Sequence, residues 1–278
     1  MGALRMNKIL TIITRAFLVG CAIIFAIPFL WMFLTSLKPA ADIYTMPLAL
    51  FGSRIAWSNY YDAWTFLPFG RFLFNSFFIA TSEMVLVVFT SSLAAYAFAR
   101  IIWRGRDALF LLYLGTLMIP AQVTVIPLYL LMNTLGWRNT YLSLILPVSF
   151  SAFGTFLLRQ FFLTIPYEIE ESGRIDGCNP FMLYARIIMP MSTPALATLG
   201  IFTFIGQWKN FLWPLIVISR DELKTITLGL QMFVGQYATE WSVLMAAATL
   251  AIVPSIIIFI VFQRHLVSGI ALTGMGGR

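Results

Sequence analysis

Six apolar runs set the terms for this chain. Residues 16–37, 72–99, 108–132, 141–163, 194–219 and 242–262 are each predominantly apolar over about 18 residues or more, enough for a helix to cross a bilayer. Lipid offers no partner to a free peptide group, so such runs must satisfy their own backbone hydrogen bonds as helices. The pattern predicts an all-α membrane protein of six transmembrane helices, with both termini on the same side. Only 10% of residues are charged, against about a quarter in soluble globules, which excludes a water-soluble fold. With 278 residues, the chain is read as a single transmembrane domain, 1–278, with no room for a separate catalytic domain. The first run follows Arg5, Lys8 and Arg15 as a signal peptide would, but it is longer than an h-region and no Ala-x-Ala site closes it. It is expected to stay as a membrane anchor.

The charges report topology. With the N-terminus inside, eleven of the 18 basic residues fall on the cytoplasmic side, among them Arg100, Arg104, Arg106, Arg159, Arg174 and Arg186. Six fall outside and Lys209 lies within a run, so the positive-inside rule predicts cytoplasmic termini. The basic residues are scattered singly, which gives no nucleic-acid footprint despite a net charge of +7. The outer stretch 38–71 carries Trp57, Tyr60, Tyr61 and Trp64, aromatics suited to headgroup level, and is expected to skim the membrane surface. Cys21 and Cys178 offer neither a disulfide framework nor metal-ligand spacing, and His265 has no clustered partner for catalysis.

One passage breaks the apolar monotony: EESGRIDGCNPFMLYARIIMP, 170–190, in the cytoplasmic loop 164–190. Pro166 can open a short helix that Gly177 ends, and Asn179 before Pro180 reads as an N-cap with a first-turn proline. Phe181, Tyr184 and Ile188 then share one face at helical spacing, making a helix-turn-helix bracket. Pattern alone allows an amphipathic connector floating in the headgroups. The acids Glu168, Glu170, Glu171 and Asp176 would face a negative lipid surface, however, and suit a basic protein partner better.

These residues resemble the Glu-Ala-Ala loop of permease subunits in binding-protein-dependent ABC importers, Glu-Ala-Ala-x3-Gly-x9-Ile-x-Leu-Pro. Here the anchors are Glu171-Ser172-Gly173, Gly177, and Ile187-Ile188-Met189-Pro190, with Ser172, Gly173 and Met189 as departures. Gly173 is expected to loosen the first helix by up to about 1 kcal/mol. The segments MIPAQVTVIPLYLLMNTLGWRNTY, FGTFLLRQFF, FLWPLIVI and QRHLVSGI extend the similarity to the carbohydrate-uptake branch, and within it to the second permease of maltose-type and glycerol-3-phosphate-type importers. The resemblance implies the type I importer permease (MetI-like) fold in the inner membrane of a bacterium or archaeon. It also implies a second permease forming a heterodimer, two copies of a cytoplasmic ATPase, and an external solute-binding protein that delivers a sugar or oligosaccharide. In such a loop Glu171 would pair with a basic residue of the ATPase, Gly177 would make the turn, and Glu170, Arg174, Asp176, Asn179, Pro180 and Pro190 would complete the coupling element. The chain has no Gly-x4-Gly-Lys-Ser/Thr loop, so ATP and Mg are expected in the partner ATPase, with no cofactor here.

For the translocation path, polar residues inside apolar runs are the candidates. They are Glu83 in the second run and Gln207, Lys209 and Asn210 in the fifth, beside Trp208 and Trp213. Interhelical hydrogen bonding to the partner permease competes with cargo contact at these positions. Lys209 stands where such relatives have asparagine, and is expected either to meet an anionic cargo group or to neutralise Glu83. Pro120 and Pro127, seven residues apart, read either as tolerated prolines or as a hinge pair. Alternatives to a sugar are glycerol 3-phosphate or a phosphodiester. A stand-alone channel or secondary transporter ranks lower, because no inverted repeat is visible. The glycine-rich tail, with Gly269, Gly274, Gly276 and Gly277, reads as a frayed terminus.

Overall fold

The computed structural model describes residues 2–45, 49–234 and 239–274, with side chains from 10 to 263 within those ranges. Apart from an isolated bridge between Val234 and Thr239, regular structure among the described residues is helical. The chain forms two compact units, Met1–Phe69 with Leu230–Ile252 and Gly70–Gly229 with Val253–Arg278.

In the first unit, α1 (Gly2–Ser36) is a long apolar helix whose described side chains stay largely exposed until Thr35 and Ser36, Phe17 at 69% and Phe25 at 75%. Such a surface belongs in lipid or against another membrane helix. Past its end come α2 (Ala40–Thr45) and α3 (Ser58–Thr65). The Asn59 amide donates to the Ser36 and Lys38 carbonyls at 2.8 and 2.9 Å, satisfying acceptors that the last turn of α1 leaves open. The buried Lys38 ammonium donates to the Ala49 carbonyl and lies over the Trp31 ring. Asp42 accepts from the Ser53 backbone N–H at 2.6 Å and its hydroxyl at 2.8 Å, and those two bonds hold its carboxyl below the ordinary range. Of the expected interfacial aromatics, Trp57, Tyr61 and Trp64 are exposed on one helix face, whereas Tyr60 turns inward to the Ser36 hydroxyl at 2.7 Å.

The second unit opens with α4 (Phe69–Arg100), a straight 32-residue helix covering the second apolar run. The third run differs from its expectation: it is two helices, α5 (Arg106–Gly115), extended by a 3-10 turn to Met118, and α6 (Ala121–Thr134), bent by 97°. Ile119 is extended, as the residue before a proline prefers, and Pro120 opens α6. Pro127, the other hinge candidate, sits inside α6 without a break. The fourth run is also bent, by 43°, between α7 (Tyr141–Ile145), prolonged by a 3-10 turn through Pro147 to Val148, and α8 (Ala152–Thr164), whose cap Ser151 accepts from the Gly154 N–H at 2.9 Å.

Beyond α8 lie α9 (Tyr167–Ile175), α10 (Pro180–Leu183), a π-turn at Tyr184–Ile188, and α11 (Met189–Met191). The fifth run is corrected at its far end. A 77° bend at Ser192 precedes α12 (Thr193–Trp208), and α12 stops at Trp208, leaving α13 (Leu212–Val217) as a separate helix. After α14 (Ile226–Met232), α15 (Trp241–Gly274) covers the sixth run. It continues through Gly269 to Gly274, so that part of the expected frayed tail is helical; Gly276, Gly277 and Arg278 lie outside the described residues. Leu158, Phe162, Ile188 and Leu199 form the centre of this unit's core, joining α8 and α12 to the loop between them.

Candidate functional site

Two features bring the predicted residues together: the bracket between α8 and α12, and a cavity at the helix breaks. In the bracket, Glu170 and Glu171 are neighbours with opposite fates, because consecutive helix positions point about 100° apart. Glu171 is exposed, while Glu170 is fully buried with its carboxylate 2.9 Å from the Arg100 guanidinium. Expected as a contact residue, Glu170 instead faces the protein interior. Arg174 reaches its second oxygen at 3.9 Å from the next turn and also donates to the Tyr167 hydroxyl at 2.8 Å. The exposed surface of the bracket includes the charged Glu168, Glu171, Arg174, Asp176 and Arg186 and, near its turn, two apolar side chains, Ile175 and Phe181.

The turn follows from its residues. Cys178 N–H bonds the Gly173 carbonyl at 2.9 Å and Gly177 N–H the Arg174 carbonyl at 3.0 Å, a Schellman ending with Asp176 as its cap. Gly177 holds φ +83°, a left-handed conformation open to glycine without penalty. The Asn179 side chain accepts from the Met182 N–H at 2.8 Å and Pro180 fills the first turn, as the sequence predicts. The expected face of Phe181, Tyr184 and Ile188 is revised. Leu183, Tyr184 and Ile188 are buried, while the Phe181 ring touches that of Tyr184 at 6.0 Å but lies outward at the edge of the face. Pro190 lies exposed within α11. Gly173 is buried, and a Cβ there would stand 2.7 Å from Leu183 Cδ2 and 2.8 Å from Ile187 Cδ1, so the departure from alanine is matched by a close approach.

The second feature is a cavity of about 290 Å³. Its lining comes from all three interrupted places in the apolar runs: Ala121 and Gln122 just past the Pro120 break, Pro147 and Val148 at the bend of the fourth run, and Asn210 and Leu212 between α12 and α13. Broken helices are tolerated in membranes where the freed backbone lines a cavity, and such breaks commonly frame a solute site. Asn210 donates to the Gln207 side chain at 2.9 Å, and Trp213, also on the lining, donates its ring N–H to the Ser143 carbonyl at 2.8 Å. Gln207 and Trp208 are buried and Lys209 is exposed; these three do not line the cavity.

Glu83 is buried on α4 with one carboxyl oxygen lacking any partner among the described residues. The structure forms no ion pair between it and Lys209, so neutralisation of Glu83 by Lys209 is set aside. Reading the sequence missed Gln122 and Thr124 of the cavity, which follow the Pro120 break directly. It also missed Arg100, counted only as a topology charge. A third omission is Asn75, a buried hub that donates to the Glu222 and Lys224 carbonyls at 2.9 Å and accepts from Tyr141 at 2.7 Å. A polar residue on the inward face of an apolar run was the available signal.

A helical chain with apolar runs long enough to cross a membrane, a charged bracket between two of them and helix breaks around a cavity has the build of a transport permease. The chain belongs to the family described as binding-protein-dependent transport system inner membrane component, whose model matches residues 87–272. Over 256 residues it is 37% identical to a protein named probable ABC transporter permease protein YurM from Bacillus subtilis, covering 91% of this chain and 84% of that protein. It is 35% identical over 276 residues to the sn-glycerol-3-phosphate transport system permease protein UgpE of Agrobacterium fabrum, covering 96% and 98%. The sulfoquinovosyl glycerol transport system permease protein SmoH of that organism is 33% identical, covering 90% and 88%. A chain of a bacterial ABC transporter involved in the import of the acidic polysaccharide alginate superposes with a TM-score of 0.82 at 23% identity, covering 94% of this chain and 97% of that one, and shares the fold. The protein is thus a non-catalytic, membrane-spanning importer component of the inner membrane, working with an ATPase and a solute-binding protein.

Proposed function

We propose that this chain forms half of the translocation path for a sugar or oligosaccharide, paired with a second, related permease and driven by two copies of a cytoplasmic ATPase that consume ATP and Mg. Both termini lie in the cytoplasm, and the bracket seats in the ATPase with Glu171 pairing with a basic residue there. The observation that carries the coupling role is the exposed tip of the bracket. Glu171, Arg174, Asp176, Ile175 and Phe181 stand out together on a turn held rigid by its own hydrogen bonds, which is chemistry for a protein cleft rather than for an anionic lipid surface. The cavity at the helix breaks, with Gln122, Thr124 and Asn210, offers amide and hydroxyl groups to sugar hydroxyls. Support for the cargo class comes from relatives named for arabinooligosaccharides and sulfoquinovosyl glycerol.

The test is ATP-dependent uptake by the reconstituted complex, offered radiolabelled arabinooligosaccharide, sulfoquinovosyl glycerol and glycerol 3-phosphate in turn, with Glu171→Ala beside the parent chain. Loss of uptake together with weakened retention of the ATPase is expected. Full uptake with normal retention would remove the bracket from the coupling role. A second reading, glycerol 3-phosphate as cargo, is favoured by the exposed Lys209 next to Asn210 in the break before α13 and by the relatives named for that solute. Under it, Lys209→Met abolishes any preference for the anionic compound; an unchanged preference discards it.

A further inference from the structure

The bracket must hand its motion to some membrane helix, and the chain offers two routes: onward through the Ser192 bend into α12, or sideways into α4. Three residues of α4 spaced four apart, Ser92, Tyr96 and Arg100, form one stripe along its last turns. All three are taken up by the bracket. The Ser92 hydroxyl lies 2.7 Å from the Tyr184 hydroxyl in the π-turn, the Tyr96 ring packs on the Tyr184 ring at 5.4 Å, and Arg100 pairs with Glu170 of α9 at 2.9 Å. The stripe thus grips both helical arms of the bracket, one on each side of the Gly177 turn.

Arg100 does more than neutralise an acid. Its guanidinium also donates to the Phe162 carbonyl, which accepts from the Ile165 N–H as well, and, at 2.6 Å, to the carbonyl of Ile165, the cap of α8. One planar fork of donors ties the end of α4, the end of α8 and the start of α9 together, a geometry lysine cannot reproduce. Both partners are buried, the Arg100 side chain at 7% exposure and Glu170 at 0%, so water neither screens the pair nor replaces it. The Ser192 bend is a poorer conductor: its hydroxyl is buried with no hydrogen-bond partner, and the chain turns there by 77°.

We propose that the stripe Ser92–Tyr96–Arg100, with Glu170 as its counterpart, is the joint through which the bracket moves α4 during the ATP cycle. Arg100 and Glu170 are positioning residues, acting through the bracket rather than on ATP or cargo. The inference rests on the bracket being the ATPase contact.

The experiment uses the assembled complex with Cys21 and Cys178 replaced by serine and a bimane label on Val85→Cys, an exposed position on α4. Emission is read before and after ATP with vanadate, alongside ATPase retention and hydrolysis rate. In the labelled parent, nucleotide trapping is expected to shift the emission. In Arg100→Gln/Glu170→Gln, which removes both buried charges at once, retention and hydrolysis should stay within about twofold while the shift falls at least tenfold, since neutralising a buried pair spares the fold better than breaking it. A double variant that keeps the full shift overturns the joint. One that fails to assemble overturns it too, by making the pair a folding element. An unmoved label in a parent complex that still hydrolyses ATP shows that α4 is not the driven helix. A parent that neither retains nor stimulates an ATPase refutes the functional reading itself.

Discussion

Alanine at position 173 should strain the bracket even though the Glu-Ala-Ala pattern it resembles has alanine there. A Cβ built on Gly173 would meet Leu183 Cδ2 at 2.7 Å and Ile187 Cδ1 at 2.8 Å, against the 3.4 Å at which ordinary contact begins, so each methyl must withdraw by about 0.6–0.7 Å. Leu183 is 1% exposed, so its methyl must withdraw within the protein interior rather than into solvent. Gly→Ala in a helix contributes about 1 kcal/mol of favourable propensity. Overpacking by one methyl costs about 1–3 kcal/mol, so the net single effect runs from nothing to about 2 kcal/mol destabilising and does not by itself isolate the clash. A double-mutant cycle removes that ambiguity. Leu183→Ala alone should cost about 2–5 kcal/mol as a large-to-small core change. In the Gly173→Ala background the same change relieves the clash, and the cost should drop by about 1–2 kcal/mol. Hydrogen exchange of the α9 amides in the purified chain reads this locally, as the free energy of opening the bracket. Additivity within about 0.5 kcal/mol would mean the two sites do not touch, and would refute the packing explanation for glycine at 173.

Two other outcomes follow from the same structure. Asn179→Ala removes the acceptor of the Met182 N–H and should raise exchange at the start of α10 by the equivalent of about 0.5–2 kcal/mol, whereas Asn179→Ser should retain most of the protection. The Asp42 carboxylate is held below its ordinary pKa of 3.8, chiefly by the two Ser53 bonds, so its contribution is complete above that value and is lost as pH falls below it. Exchange at the Ser53 amide should accordingly lose protection, relative to the intrinsic rate, below about pH 4 in the parent; Asp42→Asn should make that protection independent of pH over the same range.

Sequence pattern carried the bracket further than the spans. Gly177 and the Asn179–Pro180 pair act through local rules, a left-handed turn and a helix start, and these depend on nothing distant. The difference between Glu170 and Glu171 is not local. Both are acids in one helical turn, and only Arg100, seventy positions earlier and at the end of another helix, decides which of them is drawn inward. Apolar runs likewise report hydrophobicity but not straightness. Pro120 and Pro127 look alike in sequence, yet Pro120 stands at a 97° bend and Pro127 rides inside α6, because neighbouring structure can re-satisfy the backbone at one proline and not at another. Lys38 reads as one more outer charge but is buried at the end of α1, its ammonium bound to the Ala49 carbonyl.

The convergence of the breaks bears on why they exist. In a bilayer, each interruption frees peptide groups whose exposure to hydrocarbon costs several kcal/mol, and a lone break in a lipid-facing helix would be strongly disfavoured. Here the break at Pro120, the bend past Val148 and the gap at Asn210 contribute lining to one mostly apolar cavity, in which Gln122, Thr124 and Asn210 are the polar residues. Gathered around one protein-lined cavity rather than scattered along lipid-facing helices, the three are tolerable together where each alone would not be. The three interruptions are, on this argument, a single property of the fold rather than three.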